Sequence, residues 1–383
     1  MRARLAADFE RFGRGMPPDP AGYIRQAYGL DLRARYLGYD LPHPIGKGSG
    51  QLSLNAEQLE TDREAGLAFV VLKTVIAEDE AGAQSMAAWA IHETRMKVEP
   101  RPAADGRSGW TVTWKGRGWD RSLGDYLGLV RAGAELTRSG ALVAVPSVKF
   151  HLPRLEEPFR EAEYRHTVAR LAEAWGGAPL PIEKDFSPTL AGDALADEQA
   201  RILRWLREVP EQIRRAAAAA NGSVRLAIKL MNARFDDAFQ QAMLATATDA
   251  DALVCFNRLW DPSAGVAYGG WDLSGRNLRV LRAARAQGTR LPALVGTGNV
   301  CSGRVALDYI RAGCESVQLH TFFQLPLGLY PATEGSRTQR ALHALLFHPE
   351  DGLIAGLLDL EEQGVLHRRA GELRLLDLCE GEA

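Results

Sequence analysis

The sequence predicts an α/β protein that folds as a (β/α)8 barrel, the TIM barrel. Three observations support this prediction: about eight short apolar segments are typical of buried strands, most of them precede a segment with helical spacing, and the 383-residue chain is long enough for one barrel with additions. Alternation of strands and helices is typical of a parallel sheet, and eight such units favour a closed ring. A doubly wound open sheet is the structural alternative.

Both ends of the chain are predicted to lie outside the barrel. Residues 1–35 are mostly polar with helical character and are interrupted at Pro17 and Pro18, so they are predicted to form an N-terminal helical extension. The barrel itself is predicted to cover residues 36–330. Residues 331–383 are predicted to form a C-terminal helical extension on its outer side.

The first half of the barrel is predicted from short apolar segments and an insertion. Its elements in order are a strand at 44–50, a helix at 55–66, a strand at 67–74, a helix at 120–133, a strand at 141–150, a helix at 156–175 and a strand at 180–186. Residues 75–120 interrupt this order, and TRMKVEP and GWTVTWKGR around the turn-rich PAADGRSG predict a β-hairpin that covers a site. Trp110, Trp114 and Trp119 would either stack on a planar ligand as a lid or pack the hairpin.

The second half continues the same alternation. Its predicted elements are a helix at 194–220, a strand at 224–230, a helix at 236–246, a strand at 251–257, a helix at 278–286 after a glycine-rich loop, a strand at 291–295, a helix at 305–310 and a strand at 315–319.

The turn between the last two strands has the composition of an anion site. Gly296 and Gly298 follow the strand, Ser302 is a predicted N-cap of the next helix, and Gly313 ends that helix. Free backbone N–H groups and the helix dipole would together bind a phosphate there. On this segment alone an ordinary turn between a strand and a helix is equally consistent, because a lone Gly-x-Gly is a weak signal.

Composition limits the classes of function. Hydrophobic residues make up 46% and charged residues 25%, as in ordinary globular proteins, and a net charge of −2 argues against a strongly basic nucleic-acid binder. The four cysteines contain no C-x-x-C pair, so no iron–sulfur cluster and no metal site is predicted, and their scatter fits the cytoplasm. Neither a signal peptide nor an apolar segment of membrane length is expected. The expected partner is a small-molecule substrate, not a nucleic acid or a membrane, and a homodimer is left open.

Polar side chains accumulate where the predicted strands end, which is where barrel enzymes carry their chemistry. Burying the charge of a lysine without a partner is costly, so several lysines around one mouth would need an anion to balance them. Each of them alone could equally be a strand-end residue that extends toward water. The residues that follow the successive strands are Lys47, Ser49, Gly50, Lys73, Thr74, Lys149, Lys184, Asp185, Ser187, Lys229, Asn257, Gly296, Gly298, His320 and Thr321.

The segments that carry these residues resemble the dihydroorotate dehydrogenase family of flavin-dependent barrels, over residues 30–325. DLRARYLGYDLPHPIGKGSG resembles the family's opening strand and Ala-Ser-Gly turn, and VVLKT and VRLAIKL resemble its two lysine-bearing strands. YGGWDLSGRNLRVLRA resembles its Gly-Gly-Leu-Ser-Gly segment, and VGTGNVCSGRVALDYIRAGCESVQLHT resembles its flavin phosphate loop and last strand. The resemblance implies an FMN cofactor, a link to pyrimidine metabolism, and a phosphate held against Gly298, Asn299 and Thr321.

Roles for further residues are implied by the resemblance alone. Lys229 would contact the N1/O2 edge of the flavin, and Lys73 would lie between the flavin and the substrate. Asn257 ends ALVCFN, where the family has Thr-Asn. The full set of implied cofactor-binding residues is Ser49, Gly50, Lys73, Thr74, Lys229, Asn257, Gly275, Thr297, Gly298, Asn299, His320 and Thr321.

The substrate-binding segments depart from the family pattern. No asparagine occurs in WKGRGWD, where the family has Asn-Ser-Met-Gly, and KDFSPT carries Lys184 and Thr189 in place of two asparagines. A buried site that has lost its amides cannot satisfy the donors and acceptors of the same ligand. We therefore expect a substrate other than dihydroorotate, and the lysines would suit an anion. Lys184 and Asn257 are the predicted substrate-binding residues.

Ser187 and Lys73 are the predicted catalytic residues. The resemblance implies that Ser187 takes a proton from a CH–CH bond as a hydride leaves it, for which a serine needs a polar relay or a water molecule. Ser187 could instead only cap the end of its strand. Asp185 is an alternative base, or the partner of a neighbouring lysine in a structural ion pair.

The predicted function is an FMN-dependent oxidoreductase that acts on CH–CH bonds, of the dihydroorotate dehydrogenase-like type. A barrel that binds a phosphate or flavin ligand without turning it over is one alternative. A flavoenzyme like tRNA dihydrouridine synthase is another, and the near-neutral charge weighs against it.

Overall fold

Short strands dominate the architecture of this computed structural model, which describes residues 1–87, 97–102, 108–113, 118–186, 198–233, 235–261, 266–268 and 273–380. The strands are β1 (Leu30–Asp31), β2 (Ala34–Tyr36), β3 (Tyr39–Leu41), β4 (Ile45–Lys47), β5 (Phe69–Val71), β6 (Val75–Ile76), β7 (Lys97–Pro102), β8 (Ser108–Thr113), β9 (Val143–Val145), β10 (Ser147–Lys149), β11 (Leu180–Asp185), β12 (Val224–Lys229), β13 (Ala252–Cys255), β14 (Leu259–Asp261), β15 (Val266–Tyr268), β16 (Ala293–Gly296), β17 (Cys314–Leu319) and β18 (Leu373–Arg374).

Helices separate most of these strands. They are α1 (Arg2–Phe12), α2 (Pro20–Tyr28), α3 (Ala56–Glu64), α4 (Leu123–Arg138), α5 (Glu161–Trp175), α6 (Gln199–Ala219), α7 (Asp237–Thr246), α8 (Leu273–Ala286), α9 (Gly303–Arg311), α10 (Arg337–Phe347), α11 (Leu353–Glu362) and α12 (Asp377–Glu380), with short 3₁₀ turns at Phe322–Gln324 and Leu327–Leu329. Side chains of Asn55, Ser122 and Ser302 cap α3, α4 and α9 by accepting a backbone N–H bond, as their residue types favour.

Parallel strands close into a ring. Ten of them form one sheet in the order β6, β10, β11, β12, β13, β16, β17, β4, β5 and β9. β5 and β6 are consecutive parts of one strand, as are β9 and β10, and β5 pairs with β9 while β6 pairs with β10. The two ends of the order therefore meet, and the predicted (β/α)8 barrel is confirmed in place of the open sheet.

The floor of the barrel is apolar. Because side chains alternate along a strand, every second residue of each barrel strand points toward the axis. Phe69, Val145, Val254 and Val295 belong to one buried cluster inside the ring, and Tyr36 of the antiparallel β2–β3 hairpin packs on Phe69 with ring centroids 4.7 Å apart. The hairpin precedes β4 in the chain, so it closes the N-terminal end and leaves the opposite end for polar side chains.

The two chain ends pack against each other outside the barrel. β1 pairs in parallel with β18, and the buried carboxylate of Asp8 accepts hydrogen bonds of 2.7 Å from both Tyr23 and Tyr28. Both predicted extensions contain helices, and each adds one strand of this small sheet, which a helical prediction did not include. Two-residue strands have too few residues for a sequence pattern to reveal them.

Lys47 fastens the C-terminal extension to the barrel wall. Its ammonium lies 3% exposed between Asp62 of α3 and the Thr338 hydroxyl of α10, and it donates to both, at 3.1 Å in the case of Thr338. Thr338 also donates to Asp62 at 2.7 Å. This lysine therefore serves packing on the outer face of β4 and does not face the mouth.

Two hairpins accompany the barrel. β7 and β8 pair antiparallel inside the insertion, as predicted, and β14 and β15 form a second hairpin where the sequence predicted a glycine-rich loop. Trp119 packs at 5.3 Å on the ring of Tyr126 and donates its indole N–H to the Ser122 carbonyl at 2.9 Å. It therefore packs the base of the insertion. Trp114 lies outside the described residues.

No helix in the described part of the chain has both the length and the apolar character that crossing a membrane requires. Within the same ranges, no group of three histidine, cysteine or acidic side chains is placed to hold a metal ion.

Candidate active site

Three charged side chains lie side by side at the C-terminal end of the barrel. Val148 pairs with Lys184 in the ladder between β10 and β11, and Asp185 pairs with Lys229 in the ladder between β11 and β12. Lys149, Asp185 and Lys229 are therefore neighbours on three adjacent strands, and we call them the charged row. The Lys149 ammonium donates to Oδ2 of Asp185 at 2.7 Å.

Asp185 carries the negative charge of this row. The residue is 9% exposed, and burial would by itself raise the pKa of its carboxyl group. Lys149 and Lys229, followed by Lys184, outweigh burial and hold the pKa below its ordinary value, so the group is a carboxylate at neutral pH. Its Oδ1 atom is buried and makes no hydrogen bond in the described structure. One oxygen is thus fixed by Lys149, and the other is left to accept a bond.

Lys73 adds a second cation to the mouth from the neighbouring part of the ring. It is 3% exposed, and burial together with Lys149 and Arg258 lowers the pKa of its ammonium to about 8. Asp185 and Asp120 act in the opposite direction. Lys73 is therefore mostly charged at neutral pH and becomes neutral within an accessible pH range.

A polar network supports the charged row from below. The Lys229 ammonium donates to Oε1 of Gln318 at 3.3 Å and lies 3.7 Å from Oε1 of Glu183. Glu183 is fully buried and accepts from the Tyr36 hydroxyl at 2.9 Å and from Nε2 of Gln318 at 2.6 Å. Sequence reasoning missed Glu183 and Gln318. Both lie two residues before a mouth residue, so the alternation of side chains along a strand is the signal that could have found them.

Arg258 and His320 complete the polar rim, and sequence reasoning also missed Arg258. Burial lowers the pKa of the Arg258 guanidinium to about 10, against the effect of Asp185. Burial, Arg258 and Lys73 hold the pKa of His320 well below its ordinary value, so its imidazole is neutral at pH 7. Gly50 permits this packing, because a Cβ atom there would lie 1.8 Å from Nε2 of His320.

Hydroxyl groups line the wall between the first strands. Ser49 lies 2.9 Å from the Thr74 hydroxyl, which lies 3.0 Å from that of Ser147. Ser49 and Thr74 are residues that the resemblance assigned to the cofactor, and the structure brings them together beside Lys73.

The turn after β16 approaches its neighbours closely. Gly298 has a φ of +97°, and a Cβ atom on it would lie 2.3 Å from Nδ2 of Asn277 and 2.6 Å from the Phe256 carbonyl. Asn299 also has a positive φ, of 51°, and donates from Nδ2 to the Ser274 hydroxyl at 3.3 Å. Only glycine combines that backbone with that space, so residue 298 must be a glycine here.

Backbone donors converge near this turn. Thr297 donates its hydroxyl to the Gln318 carbonyl at 3.0 Å, which ties the ends of β16 and β17 together. In the described part of the chain, no backbone hydrogen bond takes up the N–H of Gly298 or of Thr321. These two N–H groups follow the neighbouring strands β16 and β17, and as donors they match a phosphate in chemistry.

Asn277 is a further buried amide that sequence reasoning missed. Its Nδ2 group donates to the Phe256 carbonyl at 3.0 Å and to the Thr297 carbonyl at 2.9 Å, and lies 3.0 Å from the Tyr309 hydroxyl. It thereby joins the ends of β13 and β16 and supports the turn at Gly298 from behind.

The remaining predicted residues lie at different places. Lys184 has the opposite strand parity to Asp185; its ammonium donates to the Asp185 carbonyl at 2.9 Å and lies 4.4 Å from the centre of the Phe186 ring. Burial, followed by Lys149, lowers its pKa to about 7. Asn257 is half-buried at the rim, and its carbonyl accepts from Nδ2 of Asn232 at 2.5 Å.

Two further predictions concern a helix and a loop. Gly275 lies in the first turn of α8 with open space around it. Ser187, with Pro188 and Thr189, lies outside the described residues.

Comparison with known proteins gives relatives of one kind. The chain is 30% identical over 317 residues to a dihydroorotate dehydrogenase (quinone) of Kineococcus radiotolerans, an alignment that covers 76% of this chain and 77% of that protein. It is 26% identical over 303 residues to one of Xanthomonas campestris pv. campestris, covering 74% and 77%, and 24% identical over 306 residues to one of Azotobacter vinelandii, covering 76% and 80%. No family model matches the chain.

A solved structure supports the fold independently. The crystal structure of DHODH from Eimeria tenella in complex with ferulenol superimposes with a TM-score of 0.60 over 95% of this chain and 93% of that one, at 14% identity. At that identity the likeness concerns the fold alone.

Proposed function

This chain belongs to the dihydroorotate dehydrogenase family, and we propose that it is an FMN-dependent oxidoreductase that acts on a CH–CH bond of a small anionic substrate other than dihydroorotate. The family relationship supports the oxidoreductase class. The substrate part of the proposal depends on the charges around the mouth of the barrel.

The turn after β16 supports FMN as the cofactor. The N–H groups of Gly298 and Thr321 would hold the phosphate, and the close packing of Gly298 on Asn277 keeps the turn in the shape that presents them. A side chain at residue 298 would clash with Phe256 and Asn277, so the turn can keep this conformation only while that residue is glycine. These features suit a phosphate ester in donor chemistry.

FMN, when bound, supplies a ring that accepts a hydride from the substrate. Lys229 would lie at the N1/O2 edge of that ring, where an ammonium stabilises the negative charge of the reduced form. Gln318 and Glu183 orient Lys229 from below, so its position does not depend on solvent. Lys73, at the other side of the row, would lie between the ring and the substrate and attract an anionic group.

Proton transfer needs a base near the substrate. We propose Ser187 for this role from the family resemblance, with Asp185, two residues earlier, as the alternative carboxylate. Asp185 is strongly stabilised as an anion by Lys149, which makes it a weaker base than an isolated carboxylate. Substitution of each by alanine and asparagine, respectively, would separate the two roles by their effect on the rate of flavin reduction.

The charge of the mouth is the observation that carries the substrate proposal. Lys73, Lys149, Lys229 and Arg258 contribute positive charge there, whereas Asp120, Asp185 and the deeper Glu183 contribute negative charge. Since buried charges are costly without partners, this excess of cations favours an anionic ligand. Apart from Asn257 at the rim and Gln318 beneath the row, charged groups and hydroxyls line the described mouth, which argues against a ligand read by several asparagines.

Spectroscopy of the purified protein tests the cofactor. The protein should be yellow, hold about one FMN per chain as expected for a single barrel site, and bleach with dithionite. A colourless protein that cannot be loaded with FMN would contradict the enzyme proposal.

Anaerobic mixing with dihydroorotate tests the substrate. We expect no rapid flavin reduction, because Asn257 is what remains in the described mouth of the asparagines that would pair with that ligand. Reduction within the mixing time would show that dihydroorotate is a substrate after all. Dithionite reduction of the same sample is the control for a competent flavin.

A further inference from the structure

We propose that the charged row reads the imide edge of the flavin ring: Lys149, Asp185 and Lys229 form a donor–acceptor–donor pattern for the O4, N3–H and O2 atoms. This inference rests on the proposed binding of FMN. It goes beyond it by assigning Asp185 and Lys149 to the flavin, whereas the sequence suggested a base or a structural ion pair for Asp185.

The register of the barrel strands places the three members of the charged row side by side. Residues that are paired in parallel ladders lie about 4.8 Å apart from strand to strand, and the three members of the row follow one another on β10, β11 and β12. Their side chains all point toward the barrel axis, so their polar ends converge. Lysine side chains are long and flexible enough to reach the positions on either side of a short aspartate.

One carboxylate oxygen of Asp185 lacks a hydrogen-bond partner in the described structure. Asp185 is 9% exposed, Lys149 binds its Oδ2 atom at 2.7 Å, and its Oδ1 atom is buried without a hydrogen bond in the described structure. An acceptor left unsatisfied in that way is costly unless a ligand supplies a donor. A carboxylate accepts only, so the missing partner must carry an N–H or O–H group.

The hydrogen-bonding groups of the flavin's pyrimidine edge complement those of the charged row. The pyrimidine edge of an oxidised flavin presents an acceptor, a donor and an acceptor in sequence, and its N3–H is the single N–H group of that ring system. A carboxylate between two ammonium groups presents the inverse order. Lys229 is already the residue proposed for the N1/O2 edge, so N3–H would face the next strand, which carries Asp185, and O4 would face Lys149.

The test compares the affinity of the apo protein for FMN with its affinity for N3-methyl-FMN. Binding is followed by the quenching of flavin fluorescence. Because the methyl group removes the donor and leaves a charged acceptor unpaired, N3-methyl-FMN should bind wild type about 10- to 100-fold more weakly than FMN. In Asp185→Ala this ratio should fall toward one, while Asp251→Asn, an acidic residue at the start of β13 at the other end of the barrel, should keep it. Equal affinities of wild type for both flavins would overturn the proposal while leaving FMN binding itself intact.

The reduction potential of the bound flavin distinguishes a direct charge effect from a purely structural role, because a structural role does not predict opposite shifts in the two variants. Asp185→Asn removes a negative charge beside the ring and should raise the flavin potential, whereas Lys149→Met removes a positive charge and should lower it. Shifts in the same direction in both variants would contradict the assignment.

A second arm distinguishes the flavin from a substrate that carries the same imide group. FMN-loaded protein is titrated with orotate and with 3-methylorotate, and binding is followed by the flavin absorbance. If discrimination between methylated and unmethylated ligands occurs only in this arm, the row reads the substrate ring and the assignment to the flavin is wrong. A protein that binds neither flavin would instead contradict the proposed function.

Discussion

Side chains at the mouth act mainly through their charge, and the charge of Lys73 changes within the working pH range. Burial brings the pKa of Lys73 to about 8, so the ammonium is charged below that pH and neutral above it. Its attraction for an anion should therefore be present at pH 7 and be lost as the pH rises through about 8.

A pH series tests this role of Lys73. Affinity for a small anionic inhibitor of the FMN-loaded protein should fall between pH 7 and pH 9, by several-fold, since one of the nearby charges disappears. Lys73→Met should bind more weakly and lose the part of this pH dependence that lies near pH 8, and Lys73→Arg should move that part to higher pH. The contribution of Lys184, whose pKa is about 7, should remain in both variants. If the affinity of the wild type for the inhibitor does not change between pH 7 and pH 9, either the pKa of about 8 for Lys73 or the position of Lys73 beside the anion is wrong.

Lys229 is the row residue whose loss should affect the flavin most. In Lys229→Met, we expect FMN to bind about tenfold more weakly and the flavin potential to fall, because a charge-assisted bond to the ring is lost. Since the variant leaves Glu183 buried without its cation, the double variant with Glu183→Gln serves as the control for folding. Unchanged FMN affinity and unchanged potential in both variants would remove Lys229 from the flavin site.

The side-chain direction at the end of β11 could not be predicted from the sequence. The segment IEKDF has lysine and aspartate side by side, and a shift of one residue exchanges the face to which each points. The resemblance implies Lys184 as a substrate-binding residue, whereas the ladders with β10 and β12 turn Asp185 to the mouth. Pairing with strands from distant parts of the chain determines which of the two side chains faces the mouth. The sequence of one strand does not identify its partners.

Turns and helix starts at the element scale were easier to predict, because their chemistry is local. Ser302 caps α9 and Asn55 caps α3, as their residue types and positions indicated. The hairpin of β14 and β15 was missed, since short strands separated by glycines have little periodicity. Arg258 was missed for a related reason: it follows Asn257 in a segment interpreted as a loop, and only the fold turns it to the mouth.

Gly298→Ala tests the turn that is proposed to hold the phosphate. The new Cβ atom would clash with Asn277 and Phe256 in a backbone of positive φ, so we expect FMN to bind at least about tenfold more weakly and the free energy of unfolding to fall by about 1–3 kcal/mol. Gly128→Ala, in α4 with open space around it, is the matched control. It should leave FMN affinity unchanged and raise the free energy of unfolding by about 0.5–1 kcal/mol, because alanine is the better helix former. Flavin titration and urea unfolding measure the two effects.

Should Gly298→Ala bind FMN as tightly as wild type, the phosphate must lie elsewhere. A loss of stability without a loss of FMN affinity would mean that this turn supports the fold only. The comparison between the two glycine variants distinguishes these outcomes from a general effect of alanine.

At the scale of the whole molecule, a buried ion pair between β4 and α3 of the barrel binds the C-terminal extension through Thr338. Lys47 and Asp62 are 3% and 1% exposed, and Thr338 of the C-terminal extension bonds to both. Asp62→Ala should lower the free energy of unfolding by about 3–5 kcal/mol, because it leaves a buried ammonium unpaired. Urea unfolding measures this loss.

The double variant Lys47→Met with Asp62→Leu is the control for that loss. Replacement of both charges by apolar groups of similar volume should recover most of the stability. If the double variant is as unstable as the single one, packing rather than the uncompensated charge holds the extension to the barrel.

The barrel as a whole brings charges from distant parts of the chain to one end of a closed ring. Lys73, Lys149, Asp185 and Lys229 come from separate strands, yet the ring makes them neighbours around one axis. Once a barrel is assumed, the sequence predicts how many charged residues lie at the strand ends and which sign each has. It does not predict which of them pair with each other. The same closure gives the apolar floor that excludes water from beneath the site.

A crystal structure of the protein loaded with FMN tests the central claim most directly. The account predicts one flavin across the mouth, with its phosphate on the N–H groups of Gly298 and Thr321 and its imide edge against Lys149, Asp185 and Lys229. A flavin bound elsewhere, or a phosphate that does not contact the turn after β16, would contradict it.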